Sequence, residues 1–288
     1  MEQRLFHELH NNLVRSPTIK EFKESYAFVN AVRKMFPRQT FDLVLDVAGG
    51  HGALACLFLT LNVANEAVVI DPANVGGGGV RLAWKKYIMG KTFRYRHEGL
   101  QTGLPAEIMQ AIKCGVPSDK ILVVACHACQ HLSDETLEIC CRNGVHAAVL
   151  PCCQRDLSPG GAWKAVAKRL GIHMEVVMDI LLAGKAMSWP IEKDASVAYD
   201  VRIKVLEGSS TPQNRLILCR ADASLAARRQ IAVAEAQDHL DRAYRRAHAP
   251  VPRNKKGKQS VLATSMPLIG SFLLGIAVAT TIASRRGM

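Results

Sequence analysis

A glycine loop between two acidic residues is the part of the sequence whose chemistry is easiest to interpret. Residues 41–59 read FDLVLDVAGGHGALACLFL: an apolar run ends at Asp46, small residues follow as far as Gly52, and a second apolar run begins. A strand, a glycine turn and a helix in this order open a nucleotide-binding α/β unit. The glycines let the backbone approach a ligand, and the helix N-terminus offers free N–H groups. The next apolar run, residues 67–70, ends in Asp71, where an acidic side chain is placed to bind two ribose hydroxyls.

Two cofactors fit this loop. Gly50, Gly52 and Ala55 match the dinucleotide pattern G-x-G-x-x-[GA], and Asp71 lies near the distance at which NAD sites place their acidic residue. In sites for S-adenosylmethionine (SAM), an acidic residue precedes the glycines and helps to hold the amino acid part of the cofactor, directly or through water. Asp46 occupies that position, where it would repel a pyrophosphate. The pattern therefore favours SAM over NAD, and a glycine turn without a ligand is the third interpretation.

Two cysteine-containing segments follow later strands. The apolar run 121–125 leads into Cys126-His127-Ala128-Cys129, and the run 147–150 leads into Pro151-Cys152-Cys153. In an open parallel sheet, ligands bind at the carboxyl ends of the strands. Both segments, the glycine loop and Asp71 should therefore meet at one edge of the sheet, which predicts an active site there.

Glu98 ends a third predicted strand, residues 93–97, and a helix is predicted from Pro105 to Cys114. SAM enzymes often place a polar or acidic residue at this strand end against the adenine ring. Glu98 is therefore a candidate cofactor ligand, and the alternative is a solvated turn.

The thiols permit a metal interpretation as well. Cys126, His127, Cys129, Cys152 and Cys153 could assemble a zinc site. Their spacing is not that of two CxxC pairs, and adjacent cysteines rarely ligate one ion well. We therefore predict no metal, and we interpret the cysteines as small buried hydrophobic residues that line the cofactor pocket.

Secondary-structure signals place these motifs in an α/β fold. Thr18 and Glu21 have the spacing of a capping box, and apolar residues then recur every three or four positions until Pro37, which predicts an amphipathic helix. β-rich runs over 199–206 and 215–220 predict a closing antiparallel hairpin. SAM methyltransferases commonly end in such a pair, whereas an NAD domain usually continues into a substrate domain. The prediction is a Rossmann-like, seven-stranded sheet with helices on both faces.

We divide the 288 residues into four regions. Residues 1–40 form an N-terminal helical segment, 41–222 the cofactor-binding domain, 223–259 a basic helix and linker, and 260–284 a membrane-spanning tail anchor. The net charge is +12, and eleven Lys/Arg against three acidic residues from Leu225 onwards carry most of it. The basic character therefore belongs mainly to the tail. Nine cysteines without a visible signal peptide indicate reduced thiols in a cytosolic compartment.

The tail anchor is predicted from an uncharged stretch between Val261 and Ala283, which is long enough to span a bilayer. Small residues recur there every four positions, at Ser271, Gly275, Ala279 and Ala283. This spacing is typical of helices that pack closely in membranes. We expect a single-pass protein with its domain on the cytosolic side of the mitochondrial outer membrane or the endoplasmic reticulum, and with a helix partner in the membrane. An amphipathic or core helix is the alternative.

The segments Cys126-His127-Ala128-Cys129 and Pro151-Cys152-Cys153 resemble those of a subfamily of class I SAM-dependent methyltransferases. These enzymes carry His-x-Cys-Gly after the fourth strand and Cys-Cys after the fifth. The subfamily is similar to the tRNA 2′-O-methyltransferase domain that acts on the acceptor stem, and to the methyltransferase domain of the glutathione-S-transferase C-terminal-domain-containing protein. The resemblance covers about residues 20–220, and Gln130 stands where the family usually has glycine.

The resemblance implies a site for SAM and for methyl transfer. The cofactor would be bound by Asp46, Gly49, Gly50, Gly52 and Asp71. His127 and Cys129 would lie near the transfer point, with His127 as the candidate base because an imidazole titrates near neutrality. A structural histidine is the alternative. RNA is the acceptor class that the resemblance suggests. A catalytically inactive scaffold at a membrane and an NAD-dependent oxidoreductase remain the rival functions.

Overall fold

Strands and helices alternate along most of the chain. The computed structural model describes residues 1–12, 14, 17–73, 78–129, 131–153, 155–156, 158–188, 197–206 and 213–247. Within these residues the strands are β1 (Phe41–Val47), β2 (Ala64–Ile70), β3 (Thr92–Arg96), β4 (Ile121–Cys129), β5 (His146–Cys152), β6 (Ala198–Val205) and β7 (Arg215–Asp222). The α-helices within the same residues are α1 (Glu2–Asn11), α2 (Ile19–Met35), α3 (Ala53–Thr60), α4 (Gly78–Ala83), α5 (Leu100–Lys113), α6 (His131–Asn143), α7 (Ala162–Leu170), α8 (Met174–Ser188) and α9 (Ala223–Ala247).

These strands belong to one sheet in the order β3-β2-β1-β4-β5-β7-β6. Strands β1 to β5 pair with one another in parallel, whereas β7 lies antiparallel between β5 and β6. The predicted closing hairpin is therefore confirmed. The chain passes outward from β1 to β3 and then returns to place β4 beside β1. Ligands bind at the carboxyl ends of strands where the order reverses in this way.

The core lies on both faces of the sheet. In β1, Val44 belongs to one apolar cluster, whereas Leu43 and Leu45 belong to the other, because successive side chains of a strand point to opposite faces. Helices α1 to α4 cover the first cluster with buried residues that include Leu5, Phe22, Phe28, Phe58 and Val80. Helices α5, α6 and α8 cover the second with Leu104, Ile108, Leu137 and Leu182. The predicted α/β sheet with helices on both faces is confirmed.

Helix α2 begins at the predicted capping box. The Thr18 hydroxyl accepts the Glu21 backbone N–H at 3.3 Å, and the Glu21 carboxylate accepts the Thr18 N–H at 2.7 Å. Together these bonds satisfy two backbone donors at the helix N-terminus. The helix ends at Met35, two residues before Pro37, as its periodicity predicts.

Three parts of the fold differ from the sequence prediction. Helix α5 begins at Leu100 and contains Pro105 in its interior, so the proline does not start it. Strand β4 continues to Cys129 instead of ending at Ala125, with an irregular register between Cys126 and Ala128. Helices α7 and α8 occupy a stretch to which the sequence analysis assigned no element. Both boundary errors arise because tertiary packing extends an element beyond its local signal.

The predicted tail anchor, residues 260–284, lies outside the described residues, as does the linker from residue 248. None of the helices in the described ranges is long and apolar enough to cross a membrane. Residues 1–238 form one compact unit, and the site described below lies within it.

Candidate cofactor and active site

The glycine loop turns sharply between β1 and α3 through left-handed backbone conformations. The φ angles are 53° at Ala48, 51° at Gly50 and 72° at Gly52. Glycine adopts this region without strain, but Ala48 carries a side chain there, which costs about 1–2 kcal/mol. The turn must therefore be held by contacts around it.

Two glycines in the loop have no room for a side chain. A Cβ at Gly49 would lie 2.6 Å from the Asp46 carboxyl group, and a Cβ at Gly52 would lie 2.7 Å from the Tyr95 hydroxyl. That hydroxyl donates a hydrogen bond to the His51 carbonyl at 2.9 Å. The backbone thus closes tightly over Asp46 on one side and against β3 on the other.

Asp46 lies beneath the loop and is completely buried. One carboxyl oxygen, Oδ2, accepts the Ala55 N–H at 3.1 Å, and Oδ1 has no hydrogen-bond partner among the described residues. Burial raises the pKa of Asp46 to about 7; the Asp71 charge adds to this rise, and the Ala55 hydrogen bond opposes it. Its predicted contact with the amino acid part of a cofactor stays a prediction. The sequence did not indicate that the carboxyl group would have no exposed surface.

Asp71 follows β2 and braces the loop from the side. Its Oδ2 accepts the Gly50 N–H at 3.0 Å, and its Oδ1 accepts the Ala73 N–H at 2.8 Å. Each carboxylate oxygen has a further lone pair for another donor. Asp71 therefore lies beside the loop as predicted, and ribose binding stays a prediction.

Glu98 pairs with Arg96 through both carboxylate oxygens, at 2.9 and 3.0 Å. The residue lies past the end of β3, at the edge where the glycine loop lies. Its contact with an adenine ring stays a prediction, and the structure adds a cationic neighbour that the sequence analysis did not consider.

His127 is held in an unusual backbone conformation at the irregular part of β4. Its φ is 60°, which is uncommon for a residue with a side chain. Its Nε2 lies 2.9 Å from Oε2 of Glu24 on α2, and the Glu24 side chain is only 2 % exposed, against 38 % for His127. Strained residues that the surrounding structure holds in place occur often at active sites.

Glu24 was missed by the sequence analysis. It precedes Phe28 by one helical turn, so it lies on the apolar face of α2 that packs against the sheet. The sequence could have indicated it, because a glutamate on the apolar face of a helix is almost never fully buried unless it is paired with another group.

A second acid and imidazole lie near this pair. Burial lowers the pKa of His51, and the Glu21 carboxylate opposes that effect. For Glu21, burial raises the pKa, but the Thr18 hydrogen bonds and the charges of His51 and His127 outweigh it and lower the pKa overall. Glu21 therefore interacts with both imidazoles, and α2 contributes two carboxylates to the edge of the sheet that holds the loop.

The Cys126 thiol is largely protonated. Burial raises the pKa of Cys126 well above its usual range, and the neighbouring carboxylates of Asp46, Glu24 and Glu21 raise it further. A thiol in this state is a poor nucleophile and metal ligand. Among the residues that the structure describes, no three His, Cys, Asp or Glu side chains form a metal-binding group. The Cys129 backbone pairs with Cys152, but its side chain is outside the described part, so its predicted role stays a prediction.

No family model matches the sequence, and no curated protein matches it. Solved structures of similar fold include an O-methyltransferase from Bacillus cereus in complex with S-adenosylhomocysteine (SAH), at 9 % identity and TM-score 0.44, over 77 % of this chain and 90 % of that chain. An O-methyltransferase family protein from Burkholderia thailandensis has 13 % identity and TM-score 0.43, over 77 % and 63 %. An rRNA methylase from Streptococcus thermophilus has 12 % identity and TM-score 0.36, over 68 % and 93 %.

With TM-scores below 0.5, we draw no conclusion about this chain from these similarities. The strand order, with β7 inserted antiparallel between β5 and β6, is that of the class I SAM-dependent methyltransferase fold. The specific subfamily with His-x-Cys and Pro-Cys-Cys segments is an interpretation of the sequence.

Proposed function

We propose that this chain is a SAM-dependent methyltransferase that its C-terminal segment tethers to a membrane. The observation that carries the proposal is the glycine loop at the β1–β4 switch point, closed over the buried Asp46 and braced by Asp71. His127 lies on the neighbouring strand, in a strained conformation and paired with a buried carboxylate.

The residues of the loop fit the chemistry of SAM. Gly49 and Gly52 have no Cβ, which lets the loop backbone close directly against Asp46 and Tyr95. Asp46 Oδ1 is a buried acceptor without a partner among the described residues, which suits a cationic amino group nearby. Asp71, Gly50 and Glu98 supply the remaining predicted contacts. A pyrophosphate is a poor match because two carboxyl groups adjoin the loop, so NAD is disfavoured.

His127 is the proposed base. We assign the Nε2–H of the neutral imidazole as the donor to Glu24, because a carboxylate can only accept. The Nδ1 lone pair then remains to take a proton from an acceptor hydroxyl or amine, and Glu24 stabilises the imidazolium that forms. SAM, when bound, supplies a methyl group on a sulfonium. The chain's main contribution is to orient the acceptor against it, since methyl transfer depends chiefly on alignment. RNA as the acceptor rests on the sequence resemblance.

Calorimetric titration of the full-length protein in detergent micelles tests the cofactor. We expect micromolar binding of SAM and SAH and no binding of NAD. Asp71→Asn should lose at least tenfold in affinity, whereas Asp134→Asn, a surface residue paired with Lys185, should bind normally. A folded protein that binds neither SAM nor SAH would refute the enzyme and leave the scaffold function. Binding of NAD alone would favour the oxidoreductase.

Membrane attachment needs a separate test. We propose that residues 260–284 anchor the chain in the mitochondrial outer membrane or the endoplasmic reticulum, with a helix partner that packs on the small residues. Two central arginines, Leu274→Arg and Val278→Arg, should release the protein from carbonate-washed membranes, since each costs about 2.5–3.5 kcal/mol in a bilayer. Retention of this variant in the membrane fraction would argue against a spanning segment.

A further inference from the structure

Helix α2 has a polar face beside the apolar face that packs on the sheet. Lys23, Asn30 and Lys34 lie along it, and two concave surfaces adjoin the helix there. The first, about 400 Å³, lies between this face and Lys204 of β6. The second, about 800 Å³, continues from Asn30 and Lys34 to the amino ends of β1 and β2. We call this surface the α2 groove. Its polar and charged lining includes Glu2, Lys23, Asn30, Arg33, Lys34, Arg38, Gln39, Thr40, Asn62 and Lys204.

The groove is strongly basic. Five of its lining residues are cationic and one, Glu2, is acidic. In the part of the chain that the structure describes, none of these five cations forms an ion pair with a carboxylate. The cations converge from α2, the following loop and β6. Such a concentration attracts a polyanion.

The groove and the candidate site share one helix. Glu24 of α2 contacts His127, and the adjacent Lys23 lines the groove. From Lys23 to Lys34 the groove follows α2 for about 16 Å, at about 1.5 Å per residue. A linear polyanion lying along it would therefore lead from the amino edge of the sheet towards the methyl-transfer site.

We infer that the α2 groove binds the sugar–phosphate backbone of single-stranded RNA. This inference deepens the proposed function, because it gives the acceptor class a binding surface. A concave, two-walled surface suits a strand, whereas a flat lipid surface would contact cations that project from a convex face. The amides of Asn30 and Asn62 add donors and acceptors that ribose and base edges can use.

The test measures the salt dependence of RNA affinity. Fluorescence anisotropy of a labelled oligouridine is recorded with full-length protein in micelles between 50 and 200 mM salt. The basic tail contributes to every variant, so the comparison is between variants. Lys34→Ala combined with Arg38→Ala removes two phosphate contacts, which should reduce the slope of log K against log salt by about 1.4. The affinity ratio of wild type to variant should then fall about sevenfold over this range.

The matched control is Lys168→Ala combined with Arg169→Ala, two exposed cations of α7 away from the groove. It should keep the wild-type slope. Equal slopes for the groove variant and wild type would overturn the inference. The inference would also be overturned if wild type bound vesicles containing 30 % phosphatidylserine and the groove variant lost this binding but kept its RNA affinity. SAH titration of the same samples separates the two proposals: SAH binding without groove-dependent RNA binding refutes only the groove, and the reverse refutes only the cofactor.

Discussion

The buried carboxyl group of Asp46 should contribute less to the stability of the fold as pH rises. Its pKa is about 7 in the folded chain, against an ordinary value of 3.8, because the carboxyl group is buried and its Oδ1 has no hydrogen-bond partner in the described ranges. Between these two pH values the folded chain keeps a proton that the unfolded chain releases. The contribution of Asp46 to the free energy of unfolding therefore decreases from about pH 4 to pH 7 and is constant above it. At 1.36 kcal/mol for each pH unit, the total is about 4 kcal/mol.

Asp46→Asn removes this titration while keeping the shape of the side chain. We expect the variant to gain on wild type progressively from pH 4 to pH 7, by about 4 kcal/mol over the window. A constant offset of about 1–3 kcal/mol against the variant is also expected, because the new amide N–H₂ lacks an acceptor where Oδ1 stood. The change with pH, and not the offset, is therefore the test.

Urea unfolding of full-length protein in micelles, followed by tryptophan fluorescence at pH 4, 5.5 and 7.5, supplies the measurement. The unfolding free energy of Asp46→Asn minus that of wild type should rise by about 4 kcal/mol between pH 4 and pH 7.5. Parallel curves at all three pH values would refute the argument that burial penalises this carboxylate.

Three further results follow from the described contacts. Gly52→Ala should lose about 3 kcal/mol of stability in the same urea assay, because the residue has a left-handed backbone and the new Cβ would clash with its neighbours. Gly90→Ala is the control: its φ is 78°, but among the described residues no atom lies within 4 Å of the new Cβ, so it should lose only about 1 kcal/mol. Glu24→Leu should convert the His127 imidazole from the Nε2–H tautomer to a mixture of the Nε2–H and Nδ1–H tautomers. The ¹⁵N NMR spectrum of the ring measures this ratio, and an unchanged spectrum would contradict the assigned hydrogen bond. Burial lowers the pKa of His146 to about 4. The contribution of His146 to the free energy of unfolding is therefore present above pH 6.5 and declines by about 3 kcal/mol as pH falls towards 4, which is opposite in sign to the Asp46 effect. His146→Asn should abolish that decline.

Local sequence signals predicted the elements whose stability is itself local. The capping box at Thr18 and Glu21, the apolar run of β1 and the turn chemistry of the glycine loop all concern neighbours in the chain. The closing hairpin was also predictable, because two β-rich runs flank one polar loop. These features follow from propensity and periodicity, which a sequence displays directly.

Long-range contacts were the part that could not be predicted. Glu24 and His127 are separated by 103 positions, and only the packing of α2 across the sheet brings them together. Likewise, the residue type at position 46 was informative, but its burial depends on how Gly49 closes over it. The strained φ of His127 arises from a shift in register between β4 and β5, which no local pattern encodes.

Helix α2 joins two chemically different surfaces through adjacent residues. Lys23 lines the groove, and Glu24, the next residue, contacts His127. A rigid helix cannot change its position for one surface without changing it for the other. Should α2 shift when the proposed RNA binds, the occupancies of the groove and of the cofactor site would be thermodynamically coupled. The factor by which SAH alters RNA affinity would then equal the factor by which RNA alters SAH affinity.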